Sequence, residues 1–142
     1  QWNFGNGQTW TGETPPLQNY TNPGTVNRRD TVRMVLTNSQ GCRFTAQRVI
    51  VTYPRPNPVI VAPDSVCHNT AITFSAQGNG LGSYLWRFTD LDGTSSTQAT
   101  PTRVFPNTGN APLTFTVSLE ATTSAGCRGD VSHVVTVFPN PV

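Results

Sequence analysis

The feature that most constrains this chain is that it repeats itself. Thr37-Asn38-Ser39-Gln40-Gly41-Cys42-Arg43 recurs as Thr122-Thr123-Ser124-Ala125-Gly126-Cys127-Arg128, at an offset of 85 positions (Cys42 to Cys127). Val49-Ile50-Val51-Thr52-Tyr53-Pro54-Arg55-Pro56 recurs at the same offset as Val134-Val135-Thr136-Val137-Phe138-Pro139-Asn140-Pro141. Upstream, Pro16, Tyr20 and Gly24 answer to Pro101, Phe105 and Gly109, while Trp2-Asn3-Phe4 answers to Trp86-Arg87-Phe88 at 84. Turns of unequal length account for the slip, since loops absorb insertions cheaply. A fixed period governs how everything else is read. The second copy has Val59 to Leu85 ahead of its Trp, whereas the first has Gln1 alone. The expected domains are a partial copy over 1–58, without its N-terminal strands, and a complete copy over 59–142.

Within the second copy, Val59-Ile60-Val61-Ala62 is a short apolar run closed by Pro63, and Ala71 to Ala76 alternates as a half-buried strand does. Gln77 to Gly82 is a turn cluster, and Ser83 to Phe88 is a strand with Tyr84, Trp86 and Phe88 on one face, pointing inward. Thr89 to Gly93 reads as a loop, Leu113 to Glu120 alternates again, and Val131 to Phe138 is a final β-branched strand after the turn at Ser124-Ala125-Gly126-Cys127. No 3.6-residue period appears. Short strands about ten residues apart, with Gly and Pro between them, predict an all-β fold of tandem immunoglobulin-like antiparallel β-sandwiches.

Composition narrows the function. Charged residues make up 11% of the chain, against about 25% in an ordinary globular protein, so solubility rests on neutral polar surface, as suits a secreted scaffold. All nine basic residues are Arg; they are scattered, and no basic run follows a phosphate backbone, which argues against nucleic acid as a partner. The absence of Lys also excludes Lys-Asn isopeptide crosslinks. No apolar run approaches the roughly 20 residues of a membrane helix, so this segment is not expected to insert in a membrane, and Gln1-Trp2-Asn3-Phe4 does not resemble a signal peptide.

These residues resemble the PKD (polycystic kidney disease) repeats. The hallmark is a strand and turn of the form Trp-Asp-Phe-Gly-Asp-Gly, a Pro and an aromatic approaching a Gly, and a Thr-Val-x-Leu-x-Val strand ending in Asn-x-x-Gly. Trp2-Asn3-Phe4-Gly5-Asn6-Gly7, Pro16, Tyr20, Gly24, Thr31 to Leu36 and Asn38-Ser39-Gln40-Gly41 follow it closely. The second copy keeps Trp86, Phe88, Asp92-Gly93, Pro101, Phe105, Gly109 and Phe115 to Leu119, and departs at Arg87, Thr89 and Leu91. The Gly-Cys before the last strand and the Pro-x-Pro exit are similar to PKD repeats of large Bacteroidota surface proteins exported by the type IX pathway, gliding adhesins among them. The end, Val137 to Val142, resembles the start of a type IX sorting domain, but the copy-one equivalent Val51 to Pro56 shows that an ordinary repeat junction gives nearly the same string.

Three cysteines leave an odd thiol. Cys67 precedes the second strand of its copy and Cys127 the last, and the expectation is that they are paired, a bond between strand ends adding roughly 2 to 4 kcal/mol; two buried free thiols are the alternative. By the same logic Cys42 is unpaired within this chain and its partner would lie before Gln1. Asp90 and Asp92, with Asn6, occupy the loop where some PKD repeats of secreted collagenases hold calcium, but two carboxylates are few for that ion, and Asx residues favour tight turns on their own account. No metal or other cofactor is expected. His68 and His133 are isolated from any zinc spacing, and no Gly-x-Ser-x-Gly elbow or similar signature marks a nucleophile, so the chain is not expected to be an enzyme.

Trp10, in the polar turn Gln8-Thr9-Trp10-Thr11-Gly12, is the candidate contact aromatic, a platform for a sugar or a protein partner. Asn19-Tyr20-Thr21 fits an N-glycosylation sequon, and Asp30-Thr31-Val32 and Asp64-Ser65-Val66 resemble Bacteroidota O-glycan acceptors. Tyr53-Pro54-Arg55-Pro56-Asn57-Pro58 should form a short stiff strut, each Pro fixing its φ and extending its predecessor. The expected function is a structural and adhesive segment of a long extracellular, cell-surface or filament-forming protein, acting as stiff spacer and interaction scaffold. Its partners would be other repeats of the same chain or neighbouring protomers, and a surface polysaccharide or protein ligand. Two alternatives stand beside it: accessory spacers of a secreted protease or polysaccharide hydrolase, and a subunit completed by strand donation from a neighbour.

Overall fold

The structure is a computed structural model that describes residues 1–88 and 93–140. Among the described residues there is no helix, and the strands fall into two units, Gln1–Pro54 and Arg55–Val142.

The second unit is built from β5 (Val59–Val61), β6 (Ser65–Cys67), β7 (Ala71–Thr73), β8 (Ser75–Gln77), β9 (Leu81–Phe88), β10 (Ser95–Ser96), β11 (Thr102–Val104), β12 (Leu113–Thr123) and β13 (Arg128–Phe138). Its main sheet runs β10-β9-β12-β13-β6. All pairs are antiparallel except β13 with β6, whose short parallel ladder sets Cys67 opposite Phe138. Two further antiparallel pairs, β11-β7 and β5-β8, complete an immunoglobulin-like sandwich. Alternation selects the core: Trp86 and Phe88 from β9, Val117, Leu119 and Ala121 from β12, and Val135 and Val137 from β13 are buried, as the period-2 pattern requires. Ile60, Ile72, Phe74 and Phe105 meet them. Phe74 is the hub, its ring 5.5 Å from Phe88, 6.1 Å from Trp86 and 6.2 Å from Phe105. Each such side chain contributes roughly 1.5–3 kcal/mol by leaving water.

One expected strand is two. Ala71 to Ala76 breaks at Phe74, so that β7 pairs with β11 while β8 pairs with β5. The Phe74 N–H donates to Pro101 O at 2.9 Å, which satisfies the backbone where the chain changes sheets. The strut is also not free. Pro56 and Pro58 are buried, with the Pro56 carbonyl and the Pro58 ring against the Cα of Gly129, where any side chain would collide. Arg55 Nε donates to Arg128 O at 3.1 Å. The unit therefore begins at Arg55, four residues before the expected boundary at 58/59.

The first unit holds β1 (Trp2–Asn3), β2 (Thr9–Trp10), β3 (Arg28–Thr37) and β4 (Arg43–Thr52) in one antiparallel sheet ordered β2-β1-β3-β4. Strand for strand it corresponds to β10-β9-β12-β13. The positions matching Val117, Leu119, Ala121, Val135 and Val137 are Val32, Met34, Leu36, Ile50 and Thr52, and none of these is buried. Leu36 is 52% exposed where Ala121 is at 0%. Among the described residues, no other strand of this unit forms a second layer on the sheet.

Candidate functional site

The signature turn after Trp2 is held by its own backbone and Asx side chains. Asn3 Oδ1 accepts from Gly5 N at 2.9 Å, Asn6 Oδ1 accepts from Gln8 N at 3.0 Å, and Phe4 N donates to Gln8 O at 3.0 Å. Gly5 has φ +75°, and a Cβ there would lie 2.7 Å from Thr31 N, so this position requires glycine. Asn6 Nδ2 donates to Gln18 Oε1. Both ends of the Asn6 amide are thus engaged in the turn, while Asp90 and Asp92 lie outside the described residues.

Trp10 is 42% exposed on the edge strand β2, paired across from Trp2. Trp2 donates from Nε1 to Gly12 O at 3.2 Å, as Trp86 donates to Gln98 O at 2.9 Å. A shallow hollow nearby is lined by Gln1, Trp2, Asn3, Thr9, Arg33 and Val35. Trp10 stands outside that lining, a half-covered indole with no enclosing walls.

The cysteines depart from expectation. Cys42, Cys67 and Cys127 are free thiols. Cys67 lies opposite Phe138, the last residue of β13, and Cys127 immediately precedes Arg128, the first. The eleven residues of that strand separate them by about 37 Å at a rise near 3.4 Å per residue, against the 4.4–6.8 Å Cα separation of a disulfide. A Cys67–Cys127 bond within the copy is therefore excluded. Both precede a strand in sequence, but β6 runs parallel to β13, so the thiols fall at opposite ends of the sheet. The same geometry removes the reason for giving Cys42 a partner inside its own copy.

What the two Gly-Cys turns share is shape. Asn38 N donates to Cys42 O at 3.0 Å and Gly41 N to Asn38 O at 3.0 Å; Thr123 N donates to Cys127 O at 2.9 Å and Gly126 N to Thr123 O at 2.9 Å. Gly41 and Gly126 have φ of 83° and 82°. The Cys N–H is bound by the Asn38 side chain in one turn and by Thr123 Oγ1 in the other.

Sequence reasoning missed the asparagines. Asn107, 2% exposed, donates from Nδ2 to Ala111 O and to Val137 O, accepts Gly109 N on Oδ1, and gives its own N–H to His68 Nδ1 at 2.9 Å. His68 is thus a strand-end hydrogen-bond acceptor. His133 is half-buried beside Pro63 O and Asp64 Oδ1. Asp30 is buried in β3 at the position of Phe115, with both Arg28 contacts on Oδ1, at 2.9 and 3.2 Å, and Oδ2 without a partner.

The second unit is an immunoglobulin-like sandwich whose named polar contacts fix turns and strand ends. A family model for the PKD domain matches residues 53–138, more than half of the chain. The chain belongs to that family, and its module is a non-catalytic accessory one. It is also similar to a microbial collagenase of Vibrio alginolyticus, 34% identical over 96 residues, which make up 64% of this chain and 11% of the collagenase. The chain thus spans about a tenth of the length of that curated relative.

Proposed function

We propose that this chain is a stretch of tandem PKD copies, with 1–58 and 59–142 as successive members, that serves as a stiff spacer and interaction scaffold in a long extracellular protein. The observation that carries this reading is the path of the chain through the second unit. It arrives at the Arg55–Pro58 segment, packed beside the start of β13, and leaves at Phe138, the end of β13. A module crossed from pole to pole advances the chain by about one strand length, roughly 37 Å for eleven residues. Repetition then lengthens the molecule without new chemistry. The matching Gly-Cys turns and asparagine bonds at an offset of 85 positions support membership of both segments in one array. The Gly-Cys turn and Pro-x-Pro exit favour a Bacteroidota type IX-exported surface or filament protein as the setting, with Trp10 as a contact for a surface polysaccharide or protein. Small-angle scattering of the full-length protein tests the reading: an extended particle is expected, and a compact globule contradicts it.

The similarity to a collagenase favours a second reading, in which the same modules are accessory spacers beside a catalytic domain of a secreted hydrolase. A catalytic domain in the flanking sequence would select it. The uncovered face of β3 and β4 favours a third, completion by a strand from a neighbour. Intact mass of the purified protein separates a chain with its own covering strands from one that borrows them.

A further inference from the structure

The outer face of the first sheet carries a charge that its counterpart in the second unit lacks. On β3 the positions facing away from Val32 and Met34 include Arg29, Arg33 and Val35, and the register sets Gln47 beside Arg33, Thr45 beside Val35 and Arg43 beside Thr37. Arg29, Arg33 and Arg43 are exposed, and among the described residues none of them forms an ion pair. The unit has two acids. Asp30 lies on the opposite face, bound by Arg28, and Glu13 lies beyond the end of β2. The second unit shows that the fold does not demand this. There Thr114 and Ser118 hold the positions of Arg29 and Arg33, and Glu120 and Asp130 those of Val35 and Thr45. Arg128, the counterpart of Arg43, meets Glu120 at 3.2 Å, and Asp130 meets Arg55 at 3.5 Å. One face balances its charges, while the other has neutral residues in place of the acids and two added guanidiniums.

The positive charge is spaced and interleaved. Arg33 stands four residues from Arg29, and Arg43 is opposite Thr37, four residues beyond Arg33, so successive charges sit about 14 Å apart along the strands. The phosphates of a DNA strand follow one another every ~3.4 Å along its axis, far more densely than this row. Across the row, Thr9, Asn3, Arg33 and Gln47 are paired in turn over all four strands. They form a line of hydroxyl, amide and guanidinium groups about 14 Å long at the usual strand spacing. The hollow to which Gln1, Asn3, Thr9 and Arg33 contribute lies on this line. The line ends on the edge strand at Thr9, the neighbour of Trp10.

We propose that this face binds an acidic polysaccharide in which carboxylates alternate with neutral, hydroxyl-rich sugars. The widely spaced arginines take the carboxylates through charge-assisted hydrogen bonds, and the amides and hydroxyls between them take the sugar hydroxyls as both donors and acceptors. The choice of a polysaccharide rests on the extracellular reading above. Such binding is electrostatic at an exposed surface and weakens as salt screens the charges.

The test is retention of the full chain on immobilised hyaluronan, in which uronate and neutral sugars alternate, with dextran as an uncharged competitor and a single-stranded oligonucleotide as a phosphate-bearing one. The expected result is retention at low ionic strength that added salt releases and dextran does not. Arg29→Gln and Arg33→Gln should each weaken it about fivefold, the upper range for an exposed ion pair, and Thr45→Asp, which restores the acid of the second unit, should weaken it likewise. Arg48→Gln removes the same charge from the opposite face, where Arg48 pairs with Val32, and should leave retention unchanged. Circular dichroism should be the same for all four variants. No retention at low salt, equal losses for Arg48→Gln and Arg33→Gln, or displacement by the oligonucleotide in preference to free hyaluronan overturns the proposal. Each of these outcomes leaves the spacer reading in place, since scattering decides that separately.

Discussion

Asn22 and Asn107, 85 positions apart, make the same set of hydrogen bonds. Asn22 Nδ2 donates to Val26 O at 2.7 Å and Thr52 O at 2.8 Å, and its Oδ1 accepts Gly24 N at 3.0 Å. Asn107 Nδ2 donates to Ala111 O at 2.9 Å and Val137 O at 2.7 Å, and its Oδ1 accepts Gly109 N at 3.1 Å. One side chain thereby closes its own loop and ties it to the end of the last strand. Asn107→Ala strands the buried Val137 carbonyl and removes both donors, and should cost roughly 2–3 kcal/mol. Asn22 is less buried, and Asn22→Ala should cost about half as much. Urea unfolding of the two variants checks the order; equal and negligible losses would contradict this role.

Gly129 has no room for a side chain. A Cβ would meet the Pro56 carbonyl and lie 2.9 Å from Pro58 Cδ, and the carbonyl belongs to rigid backbone. Gly129→Ala should cost about 1–3 kcal/mol, as overpacking does, and should loosen Arg55–Pro58 from the start of β13. Limited proteolysis reads this out as new cleavage near Arg55, with an intact junction as the contrary result.

The two exposed-versus-buried tryptophans should separate stability from recognition. Trp86→Ala empties a site at the centre of the core and should cost about 3–5 kcal/mol. Trp10→Ala, on the edge strand, should change stability by no more than about 0.5 kcal/mol, yet abolish retention on whichever immobilised surface glycan binds the parent chain. Retention unaffected by Trp10→Ala removes the indole as a contact.

Amide hydrogen exchange of this chain should distinguish the two sheets. Among the described residues, β12 and β13 are backed by a second layer and β3 and β4 are not. Opening without a packed core is easier, so β3–β4 amides should exchange faster than their β12–β13 equivalents. Equal protection would mean that the inner face of the first sheet is covered in solution.

Much of this was legible in the sequence because it rests on alternation and punctuation. The inward face of Tyr84, Trp86 and Phe88, the long hairpin of β12 and β13 and the Gly-Cys turn all follow from local pattern. The break at Phe74 was not legible: the residues on either side alternate as one strand, and only the partners β11 and β5 decide that they belong to different sheets. The position of Cys67 was hidden for a similar reason, since a three-residue parallel strand leaves no periodic trace. The asparagines were within reach: Asn22 and Asn107 keep the 85-position offset, each two residues ahead of a matching Gly, but a polar side chain is easily read as loop rather than as core.

The central proposal is that successive modules repeat the path of the second unit, in which the chain arrives at Arg55–Pro58 beside the start of β13 and leaves at its end, Phe138. Electron microscopy of the full-length protein measures this most directly, as the centre-to-centre spacing of successive domains. The account predicts a beaded rod with one bead per ~85 residues, spaced about 40 Å apart from the length of a strand such as β13 and a short junction. Domains folded back against one another, with no regular spacing, would contradict it.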